Sequence, residues 1–543
     1  MPGVHRDRRL LSAHELAPSS YELTGYASSK PYEVIVLWRG CRGRLYRLYA
    51  PDDTEYLRSG IRSLNSPSCG SAAKLPRQFF TRANCRQPAT STTAADGRDG
   101  QKLKLLTTTG LKDQKAKGVT IMKVTMFHFM PYRDLPANFP PEGMASAWVD
   151  APWWQYGDAN KVTDVYNWSL DELMLAAKLG FDGIGTNEHH QNPYGFMCNP
   201  NLFGATLAKL THDQGLDHVA LVQLGATISS TPPIRLAEEY AVLDCMSGGR
   251  LIAGLPLGLG NDVSICNGIT PMEHRERWRE GIDLMLKAWT AKEFFAWNGK
   301  YSQLPKVNLW PRPIQDPHPP VLVPGTASSS TWDYCHDHDF PYAYLSYFGG
   351  KSAHNVMDRF WERATAKGKD ANPYRASFLQ LVGVAETDQK AEEEFGKHIE
   401  YFYHKLLHLP TYYISPPGNA DYKSLLNIFM SGPNLLQVSD LSIELKPLKA
   451  KDMIEKEFVV VGSPATVREK LEAMAKRLNV GHLMVALQFG SMPHGQAKKN
   501  IELFGREVLP HLQNLWEDQK WENHWWPKRL RNRSARQREM ATA

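Results

Sequence analysis

From residue 122 onward the chain alternates short apolar runs with stretches of helical period. The first run, "MKVTMFHFMPYRDLP", ends in a turn, as the opening strand of a barrel would. "FDGIGTNE" then precedes the helix-like "NPNLFGATLAKLTHD", "HVALVQLGATI" precedes "PPIRLAEEYAVLDCMSGG", and "GRLIAGLPLG" leads to "HRERWREGIDLMLKAWTA". "PPVLVPG" runs through Ser and Thr residues into a shorter helix, and "YAYLSYF", "SFLQLVGVA" and "HLMVALQFG" supply three more strands. With the run at Met122 these make eight strand candidates, most followed by a helix. Strands separated by helices of this length indicate a parallel sheet. Eight such units predict an α/β fold, a closed TIM-like (β/α)8 barrel with insertions, rather than an open doubly wound sheet.

Two stretches interrupt the alternation. "FFAWNGKYSQLPKV" reads as a hairpin about its "NGK" turn, and residues 396–457 read as a helical insertion. Residues 1–121 have a different character. "RQPATSTTAADGRDGQKLK" is polar and low in complexity, so this N-terminal extension is expected to be poorly structured and largely disordered. Only "YEVIVLW", residues 32–38, resembles a strand there. Met122 could itself start a complete protein, which leaves an appended extension and an over-long reading frame equally open. The barrel is placed at 122–510, followed by a basic C-terminal tail at 511–543. In that tail "WENHWWPKRLRNRSARQREM" is first aromatic, then Arg-rich; the Arg-rich end reads as solvated.

Composition narrows the function classes. Hydrophobic residues make up 42% of 543, enough for a substantial core, and the net charge of +6 is small. Much of the basic excess lies at the two ends, which argues against a nucleic-acid channel across the body. The seven cysteines are odd in number and show no C-x-x-C pair, the usage of a reduced, cytoplasmic protein. No apolar run approaches the roughly 18 residues that span a bilayer, so no membrane partner is expected. The N-terminus "MPGVHRDRRLLSAHELAPSS" lacks the apolar region of a secretory signal, and Asp7 and Glu15 count against a transit peptide.

Phosphate-loop readings fail. "GLPLGLGND" follows a strand, but a G-x-G-x-x-G starting at Gly258 would need glycine where Val263 stands, and "GIGTNE" ends on Glu188. No G-x-x-x-x-G-K-[ST] and no G-x-S-x-G occurs, so NAD(P) binding by a Rossmann unit, ATP use and α/β-hydrolase chemistry lose ground. "TNEHHQNPYG", residues 186–195, places an acid and two histidines at the end of the second barrel strand, on the rim where barrel enzymes build their sites. Neighbouring side chains of an extended segment point to opposite faces, so a metal shared by His189 and His190 is the least favoured reading. His189 is favoured for proton transfer near neutral pH, His190 for hydrogen bonding to the loop, and Glu188 is undecided. "PGTASSSTWD" follows a buried strand and starts a helix, where amides and hydroxyls suit an anion; a plain N-cap with spare serines is the simpler alternative. "SGGR" reads as a helix stop.

With "GFDGIGTNEHH", "PPIRLAEEYAVLDCMSGGRLIAGLPLG" and "PPVLVPGTASSSTWD" in this order, the chain resembles the bacterial luciferase-like family of flavin-dependent monooxygenases and related oxidoreductases. The resemblance runs from Met122 to about Pro510. It implies a TIM-like barrel with His189 as the acid–base residue beside the flavin. It places Leu224, Gly225 and Ala226 along the isoalloxazine ring, Thr326 and Ser329 on the flavin phosphate, and Trp332 nearby. Two departures stand out: Leu257 replaces a phosphate-binding arginine, and Gly325 replaces an acid before the hydroxyl pair. The implied activity is oxygenation of a small organic substrate with reduced FMN and dioxygen, the reduced flavin coming from a separate flavin reductase. Trp153, Trp154, Tyr194 and Met197 suggest an apolar substrate pocket, with surface packing an equal alternative for aromatics in loops. A deazaflavin-dependent hydride-transfer enzyme and a non-catalytic flavin-binding protein stay open, and a homo-oligomer is compatible with either.

Overall fold

The computed structural model describes three strands within residues 24–49, then residues 121–345, 347–414, 416, 418 and 445–531. The chain divides into two compact units, Met1–Gly110 and Leu111–Ala543. In the first, β1 (Thr24–Ala27), β2 (Val34–Arg39) and β3 (Leu45–Tyr49) form an antiparallel sheet in that order, with Ile35 opposite both Tyr26 and Tyr49. The strand read at residues 32–38 falls on β2, and two more strands flank it. The expectation of disorder for the rest of 1–121 lies outside the described residues.

The second unit contains β4 (Lys123–Phe127), β5 (Gly183–Thr186), β6 (Ala220–Gln223), β7 (Leu251–Gly254), β8 (Phe295–Asn298), β9 (Gln303–Val307), β10 (Val321–Gly325), β11 (Tyr342–Tyr344), β12 (Ala376–Val384), β13 (Val459–Gly462) and β14 (His482–Ala486). β4, β5, β6, β7, β10, β11, β12 and β14 pair in parallel around a closed ring, with β14 returning to β4 through Val485 and Met126. These eight strands are the eight apolar runs of the sequence. Helices cover the outside and side chains fill the inside, so both faces of each strand are buried and the runs read as continuous rather than alternating. Phe127, Val222, Ile252, Leu322 and Met484 pack in one cluster, while Val124, Leu221, Ala253, Val323 and Val485 pack in another with residues of the surrounding helices. β8 and β9 form the antiparallel hairpin read from "NGK".

Local chemistry sets the helix ends. Asn199 caps Pro200–Asp213 by accepting from the amides of Asn201 and Leu202, and Ser463 caps Pro464–Leu478. Gly248, at φ 65°, stops Pro233–Ser247 in the left-handed region, as "SGGR" predicted. Arg250 beside it is fully buried and donates to the Val219 carbonyl at 2.7 Å, tying the start of β7 to that of β6.

The insertion read as helical, residues 396–457, is followed by a strand that the sequence reading did not give. Its described part contains the end of helix Asp388–Tyr401, a π-helical turn at Phe402–Leu406 and a short helix at Ala450–Glu455, with β13 immediately beyond. β12 is nine residues long, and β11 pairs only with Ala376–Phe378. The overhanging half would expose an unpaired edge, and β13 covers it in parallel through Leu381–Val459 to Val384–Gly462.

The aromatic part of the C-terminal segment packs beneath the barrel. Trp526 lies 5.4 Å from the ring of His482 at the start of β14, and Asn523 Nδ2 donates to His482 Nε2 at 2.9 Å. The Arg-rich end read as solvated begins docked instead, with Arg529 donating to the Gly248 carbonyl, Leu530 buried and Arg531 Nε donating to the Trp526 carbonyl at 2.9 Å; its remainder, 532–543, lies outside the described residues. Among the described residues, no helix is long and apolar enough to cross a membrane.

Candidate active site

The "EHH" trio follows β5 at the C-terminal rim of the ring, and the structure separates its members. His189 turns to Asp262, which sits in a π-helical turn, Asn261–Ile265, after β7. A carboxylate only accepts, so His189 Nδ1 carries the proton and donates to Asp262 Oδ2 at 2.9 Å. This leaves Nε2 as the nitrogen free for chemistry. Asp262 Oδ1 accepts the His190 backbone amide at 2.9 Å, so one buried carboxylate fixes both the loop and the ring. The His189 amide donates to the Met197 carbonyl at 3.0 Å, and its ring stands edge-on to Trp148 and Tyr194, at 5.3 and 4.8 Å.

His190 faces the other way. Its Nε2 donates to Glu188 Oε1 at 2.8 Å, and Glu188 also accepts from the amide and hydroxyl of Thr227 at 3.2 and 2.5 Å. The hydrogen bond to Glu188 raises the His190 pKa against the opposing effect of burial. Glu188 therefore ties the β5 loop to the segment after β6. Among the described residues, no group of three or more His, Cys, Asp or Glu could hold a metal ion.

The other predicted residues divide. Tyr194 and Met197 are buried beside or behind His189. Trp153 is half exposed, its ring 6.1 Å from Phe196, and Trp154 projects into solvent with 87% of its surface accessible. Leu224 and Ala226 are buried, and a Cβ at Gly225 would come within 2.5 Å of the Glu188 backbone nitrogen. Gly225 thus permits close approach of the β5 rim, a requirement of the chain's own backbone. Ser329 is buried in the first turn of helix Ser329–His338, Thr326 is exposed, and the Thr326 carbonyl accepts from Tyr342 Oη. Trp332 is buried against Tyr342 and Phe360.

Sequence reasoning missed two residues. Asp262 lies 73 positions from His189, inside a segment that reads as a failed dinucleotide loop. Val263, which breaks that motif, is fully buried, and a Cβ at Gly258 would come within 2.4 Å of its side chain. An acid just after a barrel strand was the available signal. The second is Arg275, on helix His274–Thr290. Its guanidinium donates to Thr331 Oγ1 at 3.1 Å and to Ser328 Oγ at 3.3 Å, at the start of helix Ser329–His338. A cation beside a helix N-terminus adds charge of the same sign, an arrangement that favours a nearby anion.

Comparison with known proteins bears on the family and the fold. The family described as luciferase-like monooxygenase matches residues 161–480. An uncharacterised protein of Sinorhizobium fredii is 27% identical over 345 residues, spanning 62% of this chain and 89% of its own. The oxygenase component of the flavin-dependent trigonelline monooxygenase of Acinetobacter baylyi is 27% identical over 257 residues, 45% of this chain and 67% of its own. In fold, the oxygenating constituent of 3,6-diketocamphane monooxygenase from Pseudomonas putida, solved with FMN, superposes with a TM-score of 0.53 at 20% identity, covering 72% of this chain and 98% of its own. The closed parallel ring, the rim histidine and the matched span together establish that this chain belongs to the luciferase-like monooxygenase family.

Proposed function

We propose that this protein is the oxygenase component of a two-component, FMN-dependent monooxygenase of the cytoplasm, oxygenating a small organic substrate with reduced flavin from a separate reductase. The observation that carries the reading is Arg275 among the hydroxyls that open helix Ser329–His338. Leu257 stands where the family resemblance expects a phosphate-binding arginine, and Arg275 brings a cation from the next helix instead. A guanidinium fork with Ser328, Ser329 and Thr331 has the donors a phosphate dianion needs, so the residues fit the group.

Reduced FMN, when bound, supplies the electrons that activate dioxygen. The chain's own residues do the rest. Arg275 and the hydroxyls would hold the phosphate, and the segment at Leu224, Gly225 and Ala226 would border the ring. His189 holds or moves a proton at Nε2, and Asp262 fixes its tautomer through Nδ1. Trp148 and Tyr194 flank that imidazole and keep water from it.

Titration of the protein with FMN, riboflavin and a deazaflavin tests the reading. FMN should bind, and Arg275→Ala should weaken it by about 10–100-fold while riboflavin, which lacks the phosphate, changes little. Binding of the deazaflavin but not of FMN would overturn the monooxygenase assignment. An equal loss for FMN and riboflavin would remove Arg275 from the phosphate.

A further inference from the structure

Three tyrosines meet on this rim, and Tyr194 among them flanks the His189 ring. Tyr194 follows β5, Tyr347 follows β11, and Tyr403 lies in the turn Phe402–Leu406. Tyr194 is fully enclosed, its ring 4.6 Å from Trp148, 5.4 Å from Phe129 and 5.9 Å from Phe402. In that apolar setting its hydroxyl donates to Tyr347 Oη at 3.0 Å. Tyr403 Oη, also buried, donates to the Tyr347 backbone carbonyl at 2.5 Å. Tyr347 is therefore held at both its side chain and its backbone.

A phenol oxygen that accepts one hydrogen bond still has its own proton to give. Among the described residues, no acceptor takes the Tyr347 proton. Tyr347 is also the one of the three that is not fully buried. Accepting from Tyr194 polarises its O–H and makes it a better donor. Burial pushes the phenol up to about 12, and the Asp262 carboxylate pushes in the same direction, so the proton stays on through the neutral range.

We propose that Tyr347 is a specificity-determining residue whose hydroxyl donates to an acceptor oxygen of the organic substrate, so that the site prefers carbonyl-bearing compounds to hydrocarbons of the same shape. The inference rests on the reading of this rim as a substrate site, yet its test needs no flavin. A site built to donate to a substrate oxygen leaves a buried O–H unmade when that oxygen is replaced by carbon, and it discriminates accordingly.

The test is calorimetric binding of two near-isosteric pairs to the flavin-free full chain: acetophenone with α-methylstyrene, and cyclohexanone with methylenecyclohexane. The ketone of at least one pair should bind about tenfold more tightly than its hydrocarbon. In Tyr347→Phe that ratio should fall to about one with the hydrocarbon still bound, and Tyr194→Phe should keep a ratio well above one. Tyr347→Phe leaves the Tyr194 hydroxyl buried without a partner. If it fails to fold, the double variant Tyr194→Phe/Tyr347→Phe removes both phenols and should also give a ratio near one. Equal affinities in the wild type, no binding of either pair, or a ratio unchanged in a variant lacking the Tyr347 hydroxyl would each overturn the proposal. Failure of the FMN titration leaves this result readable, so the two readings fail separately.

Discussion

Replacing Asp262 with Asn tests the arrangement on which the proposed chemistry depends. Both carboxylate oxygens are engaged at 2.9 Å, one with His189 Nδ1 and the other with the His190 amide. An amide side chain has a single acceptor oxygen. If that oxygen stays on the backbone amide, the NH2 faces His189, and Nδ1 must accept. The imidazole proton then moves to Nε2, which can no longer take one. If the side chain turns over, its NH2 meets the His190 N–H donor to donor. Either way the charge-assisted hydrogen bonds to a 1% exposed carboxylate are replaced by neutral ones or broken, a loss of about 1.5–3 kcal/mol. At 1.36 kcal/mol per tenfold, turnover should fall by about 10–200-fold. Substrate-dependent oxygen uptake measures this, imidazole nitrogen NMR shifts report the His189 tautomer, and flavin affinity should stay within about twofold because Arg275 is untouched. Turnover near the wild-type value would refute the reasoning. A matching loss of flavin affinity would assign Asp262 to the cofactor instead.

Two further predictions concern the framework that carries the site. Glu172 is fully buried and accepts from His128 Nε2 at 2.7 Å, His494 Nδ1 at 2.8 Å and Arg133 at 3.1 Å, tying the end of β4 to the helix that follows β14. Glu172→Gln leaves Arg133 without a counter-charge and should cost about 3–5 kcal/mol, read from a urea midpoint. Its hydrogen bonds and the Arg133 charge outweigh burial and hold the carboxyl at about 2, below the ordinary 4.5. That contribution is present above 4.5 and lost as pH falls toward about 2, so the two proteins should differ less at about pH 3 than at about pH 7. A constant difference would show that lost packing, not lost charge, sets the cost. Trp526→Ala should cost about 3–5 kcal/mol by opening the underside of the barrel. Burial there holds His482 at about 3, so its neutral form stabilises the fold fully above the ordinary 6.5 and that stability is lost as pH falls toward about 3. NMR titration of His482 in the variant should show its pKa rising, and an unchanged value would mean that Trp526 does not shield it.

The eight barrel strands were legible because burial on both faces writes each as an unbroken apolar run, which local sequence can carry alone. The helix start at Asn199, the stop at Gly248 and the "NGK" hairpin were legible for the same reason: each is set by a few adjacent residues. The position of His189 on the rim followed from strand order. β13 was not legible, since "VVVG" becomes a strand only where the overhang of β12 offers it an edge. Trp153 and Trp154 are neighbours of identical type, yet one rests by Phe196 and the other faces solvent. Arg275 looks like one more charge on an amphipathic helix until the fold sets it against the start of another helix. Asp262 pairs with His189 only through closure of the ring, and Tyr347 meets Tyr194 across 153 positions. Strand periods, caps and turns are short-range and were determined by the sequence itself. Which polar groups meet across the rim depends on the radius and register of the closed barrel, and only the tertiary structure decided that.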